Sequence, residues 1–183
     1  MRRPVALADR LVGRMRVPHP FTRDAYQAVL SEVVGTTIRL VPFSATAPGQ
    51  LTSLTGMTVP LANTTYVFYR SDASPVHQLH VIHHELFHVL AGHPGIPVSD
   101  EQLKNALIEM LKVELPHLNA DLIRHLVGRG CTNGHSADRH ERDAERFAVA
   151  VAQRLGLTTP ALATDSADEE TDKIGRLFSE GNS

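Results

Sequence analysis

The feature that most narrows what this chain can fold into is an apolar helical run that carries His84-Glu85-Leu86-Phe87-His88. Leu79, Ile82, Leu86, Val89 and Leu90 recur at helical spacing, and Gly92, Pro94, Gly95 and Pro97 close the run. On a helix, His84 and His88 share one face with Cβ atoms about 5–6 Å apart. Both imidazoles can therefore reach one ion at a bond length of about 2.0–2.1 Å. Glu85 is rotated by about 100° and does not compete as a ligand. It stands where a general base for a metal-activated water would stand. The bland alternative is a buried amphipathic helix whose histidines only satisfy hydrogen bonds.

The chain has 11 histidines in 183 residues, and His77, His80, His83, His84, His88 and His93 fall in one short segment. His80, His84 and His88 form a stripe whose ends are about 12 Å apart, too far to share one ion. His80 lines a cleft one turn away or faces solvent. His77 at the helix start suits the surface, and His83, directed toward Phe87, has no expected catalytic part. His93 follows the helix and is a candidate to orient a ligand or contact substrate. The single cysteine, Cys131, excludes an internal disulfide framework and a cysteine-rich metal site, and it suits the reducing cytoplasm. A formal charge of −2, with scattered arginines, gives no stripe for nucleic acid, so direct nucleic-acid binding is not expected. No segment reads as a membrane span.

Periodicity divides the chain into one domain over residues 1–157 and an acidic, mobile tail over residues 158–183. Residues 1–35 read as two helices, the second capped by Thr22 and ended by Gly35. Residues 37–69 read as a small, mostly antiparallel sheet: Thr37–Val41 stopped by Pro42, a weak strand at Met57–Val59, and a stronger one at Thr65–Tyr69. The metal-binding helix takes residues 76–92. Residues 99–127 read as a helical insertion opened by Ser99 and Asp100, a lid or partner surface. Residues 137–155 form the last long helix. The class is α+β, with the sheet packed against the histidine helix and a mainly helical C-terminal half.

A catalytic site for this kind of ion needs a third protein ligand. Pro94 stands six residues after His88, so a nearby third histidine is missing and the ligand must come from a later helix. Glu141 is the leading candidate, on a face beside Ala144 and Ala148, whose small side chains allow close approach; Asp143 is its rival. Glu145, one turn on, can accept a hydrogen bond from a ligand histidine.

These two helices resemble the ImmA/IrrE family of zinc metallopeptidases, a gluzincin-like group. The resemblance rests on Tyr66–Phe68, His84–His88, His93, and Glu141-Arg142-Asp143-Ala144-Glu145-Arg146-Phe147-Ala148. Asp143 replaces the family's second glutamate, and Glu145 stands where Asn or Asp is usual. The resemblance implies a zincin-like fold and one Zn2+ held by His84, His88 and either Glu141, if the third ligand is the first acid of the motif, or Asp143, if it is the second. It also implies a cytoplasmic protease acting on a partner protein such as a transcriptional regulator. Glu85 is then the general base. Tyr66, Tyr69, His93, His135 and His140 are candidates to stabilise an oxyanion, and the strand Tyr66–Tyr69 is expected to offer an edge for an extended peptide. The alternative is a non-catalytic, zinc-stabilised regulator, or a toxin-like component, acting by protein–protein binding.

Overall fold

A computed structural model describes residues 4–18, 22–44, 54–93, 101–128 and 134–156. The tail at 158–183, Ser99–Asp100, Cys131 and the side chain of His135 lie outside the described residues.

Two helices open the chain, α1 (Pro4–Arg14) and α2 (Arg23–Val34). Thr22 caps α2 by accepting from the N–H of Ala25, and Gly35 ends it at φ 83°, a conformation that favours glycine. Three strands follow: β1 (Thr37–Phe43), β2 (Gly56–Leu61) and β3 (Thr64–Arg70). Next come α3 (Pro75–Ala91), α4 (Glu101–Glu114), α5 (Ala120–Gly128) and α6 (Gly134–Arg154). The described residues thus form an α+β structure of six helices and one small sheet.

The sheet order is β1-β3-β2. β2 and β3 form a hairpin through Ala62 and Asn63, while β1 lies parallel to β3. The sheet is therefore mixed, not mostly antiparallel. The reason is topological: β1 occupies the far side of β3, so the hairpin inserts its second strand between the other two. β3 is bonded on both sides, which leaves no peptide-binding edge at Tyr66–Tyr69. The strand expected to stop at Pro42 runs through it, and β2 runs through Pro60, since both prolines lie in the edge strands β1 and β2, where a missing N–H need not break a ladder.

Strand alternation builds two cores. Ile38, Leu40, Val67 and Tyr69 face α2 and α3, where they pack with Tyr26, Leu30, Leu79, Ile82 and Leu86. Phe43, Val59 and Phe68 face the other way and pack with Leu107, Leu111, Leu115 and Ile123. Residues 101–128 are thus not an outlying lid. Leu107, Leu111, Leu115 and Ile123 cover the second face of the sheet, which a strand pattern buried on both sides requires. A third cluster joins α1, α3 and α6 through Leu11, Phe87, Ala144, Phe147 and Val151. Asp9 on α1 also pairs with Arg154 on α6. Among the described residues, no helix is long and apolar enough to cross a membrane.

Candidate metal centre

The site forms where α3 and α6 cross. Ala144 and Ala148 are fully buried, and Phe147 packs against Phe87 with ring centroids 5.4 Å apart. The small side chains let the helices approach, and the aromatic pair fixes their rotation. Glu141, two turns into α6, thereby faces α3.

His84 Nε2 lies 3.1 Å from Glu141 Oε2 and 3.2 Å from His88 Nε2. His88 Nε2 lies 3.5 Å from Glu141 Oε1. Three ligands on a tetrahedron with bonds of about 2.0–2.1 Å stand roughly 3.4 Å from one another. The two separations from His84 lie near that edge, and His88 approaches the other oxygen of the same carboxylate, so the three side chains converge on one small volume. This His84–His88–Glu141 group could hold a metal ion, its ligand atoms all within 4.8 Å of one another. Asp143 is not in the group; its carboxylate lies 3.6 Å from Arg146 Nη1, one helical turn along. The difference is rotational, since two residues along a helix turn the side chain by about 200°.

The charge states of His88 and Glu141 suit metal binding, whereas an ion at His84 must displace a proton that the nearby carboxylates favour. Burial, only partly offset by Glu141, lowers His88 to about 4, so its imidazole is neutral at physiological pH. Glu141 lies below the usual carboxylate range, chiefly because His84 donates to it. Burial opposes charge on His84, but the hydrogen bond to Glu141 and the nearby carboxylates of Glu85, Glu141 and Glu145 outweigh it and raise its pKa. A neutral imidazole and an ionised carboxylate are the forms a cation takes as ligands.

Around these donors sits a ring of supporting groups. Gly92 ends α3 at φ 67°, and the N–H of His93 reaches back 2.9 Å to the carbonyl of His88. That return places the His93 ring against His88, with their Nδ1 atoms 3.1 Å apart. His93 also stacks on His140 of α6, with centroids 3.7 Å apart. A proton shared between the Nδ1 atoms leaves His88 Nε2 free to face the cluster. Glu145 Oε2 lies 3.0 Å from His80 Nε2 and 3.7 Å from His84 Nδ1.

Glu85 is 4% exposed, and burial raises its carboxyl to about 7. It lines an open cleft of about 670 Å³, together with His84, His80, His77, Val81 and Glu145. A carboxyl that titrates near neutrality beside a cleft is matched to proton transfer.

Tyr66 stands elsewhere. Strand alternation turns it to the far face of the sheet, where its hydroxyl lies 3.4 Å from His117 Nε2 and its ring stacks on Phe68. It cannot assist groups on the α3 face. Tyr69 is on the α3 face but buried in the core. His83 turns toward α2, not Phe87: its Nε2 is 2.6 Å from the Tyr26 hydroxyl. His80, for which solvent was an open option, is engaged by Glu145. Sequence reasoning missed Gly56, which meets Glu85 from β2. The only signal for it was a glycine opening a strand. It also missed the His93–His140 stack, which depends on how α6 crosses α3.

Set against family models, curated proteins and solved structures, the chain matches none of them.

Proposed function

We propose that the protein is a zinc-dependent metallopeptidase with a zincin-like fold, resembling the ImmA/IrrE family, and that it cuts a peptide bond in a regulatory or partner protein. The observation that carries this reading is the convergence of His84, His88 and Glu141, with ligand atoms within 4.8 Å of one another, next to buried Glu85, which opens on a cleft. The lone cysteine favours a reducing compartment, and we place its action in the cytoplasm.

His84 and His88 would hold the ion through Nε2, and Glu141 through its carboxylate. Zinc bound there would supply Lewis acidity, polarising a carbonyl and acidifying water. Glu85, with a pKa near 7, takes a proton from the attacking water as the new C–O bond forms. It then returns that proton to the leaving amine as the C–N bond breaks. One water is consumed, and one acid and one amine result. Burial is what gives the carboxyl both abilities near neutral pH. Glu145 and His93 hold the outer nitrogens of the ligand histidines or the rings beside them. The cleft along the first turns of α3 offers room for the substrate's residues on one side of the scissile bond.

The test is a peptide library incubated with zinc-loaded protein, read by mass spectrometry for new termini. Wild type should yield cleavage that stops on chelation and returns with zinc. Glu85→Gln should keep zinc and fold but lose about 10²–10⁴ in rate. Cleavage unchanged in Glu85→Gln would overturn the reading.

A further inference from the structure

We propose that Gly56 is the positioning residue for Glu85, seating the carboxylate by the close approach of the β2 backbone. This rests on the reading of Glu85 as the proton-transfer group of a peptidase.

Gly56 opens β2, and its register partner is Tyr69 on β3. Met57, Val59 and Leu61 face the α4–α5 side of the sheet. Gly56, one residue from Met57, therefore faces α3. Val81 and Glu85 are four residues apart on α3, so they present one face to that strand. A Cβ at position 56 would overlap Val81 Cγ1 and stand 3.1 Å from Glu85 Cγ and 3.2 Å from Glu85 Oε1.

Conformation does not demand glycine here. Gly35, Gly92 and Gly156 adopt positive φ, whereas Gly56 does not. A Cβ at Gly13, Gly35, Gly92 or Gly156 would meet nothing within 4 Å. A glycine in a strand weakens it, and one that marks close backbone approach has a spatial reason to be there. The reason at position 56 is room for Glu85. Among the described residues, no hydrogen bond restrains the Glu85 carboxylate, so packing against the strand is what limits where it can go. The same approach buries it.

The test uses the full chain loaded with zinc or cobalt(II), as Gly56→Ala, Val81→Ala and the double variant. The double variant relieves the overlap with Val81 but keeps the crowding of Glu85, and so separates general misfit from displacement of the carboxylate. Chelator competition reads metal affinity, and cleavage of a wild-type substrate reads kcat and KM. The cobalt visible spectrum reads the surroundings of the ion without turnover.

Relative to Val81→Ala, the double variant should lose about 100-fold in kcat, a loss of the size general-base catalysis supplies. Its KM and metal affinity should stay within about threefold, since uniform binding is untouched. Its cobalt spectrum should shift in the same direction as that of Gly56→Ala. Recovery of kcat to the Val81→Ala level, or a parallel fall of metal affinity and kcat, overturns the inference. If wild type cleaves no peptide, the peptidase reading fails on its own. A cobalt spectrum shifted in both Gly56 variants then still supports the positioning, and an unshifted one overturns it.

Discussion

Replacing Tyr26 by Phe removes one oxygen from a fully enclosed pair. Tyr26 is 1% exposed and His83 0%, and the hydroxyl lies 2.6 Å from His83 Nε2. Among the described residues, His83 Nδ1 has no hydrogen-bond partner. The substitution leaves the second ring nitrogen without this partner too, which costs about 1–3 kcal/mol. For a chain of this size that lowers the midpoint of thermal unfolding by roughly 2–12 °C. Adding His83→Leu removes the orphaned nitrogens, and the double variant should recover most of the loss. The assay is urea unfolding of chelator-treated protein near pH 7.5, with m-values compared. A second reading comes from pH. Burial lowers His83 to about 3, so the folded state holds it neutral while the unfolded state protonates it from its ordinary 6.5. Its contribution to stability is therefore complete above pH 6.5 and is lost as pH falls toward 3. The slope is about 1.4 kcal/mol per pH unit between those limits. Relative to wild type, His83→Leu should flatten the acid limb by that slope. A Tyr26→Phe variant within about 0.5 kcal/mol of wild type, the range of an inert surface change, would refute the reasoning, as would an unchanged acid limb in His83→Leu.

Other outcomes follow from the crossing of α3 and α6. Glu141→Gln should weaken zinc binding by more than about 100-fold, beyond the loss of an outer partner, while Asp143→Asn should leave it nearly unchanged; competition with a chromophoric chelator distinguishes them. Glu145→Ala frees His80 and removes the carboxylate near His84, and should weaken zinc by about 10-fold in the same titration. Phe147→Ala deletes a fully buried ring between the helices and should cost about 3–5 kcal/mol in denaturant unfolding, with zinc affinity falling because Glu141 loses its placement.

Local signals and tertiary ones were unequally legible. The histidine helix could be read because its apolar period and the Gly92 stop are properties of adjacent residues. Glu141 could be read because Ala144 and Ala148 mark a face built for close approach. Choosing between Glu141 and Asp143 needed the rotation of α6, which the Phe87–Phe147 contact sets across sequence-distant residues. Strand order was hidden for the same reason: nothing near Thr37–Phe43 says which side of the hairpin it joins. Tyr66 was a candidate on the strand expected to offer a peptide edge, but alternation sends it with Phe68 to the opposite face. Residues 99–127 read as an insertion because they lie between the two helices that carry the motifs, and nothing local to them names the sheet face that α4 and α5 cover.

Anomalous diffraction at the zinc edge from zinc-loaded crystals asks directly whether one ion sits among His84, His88 and Glu141. The prediction is a single strong peak within about 2.2 Å of His84 Nε2, His88 Nε2 and a Glu141 oxygen. A peak elsewhere, or zinc-treated crystals with no peak between α3 and α6, would contradict it.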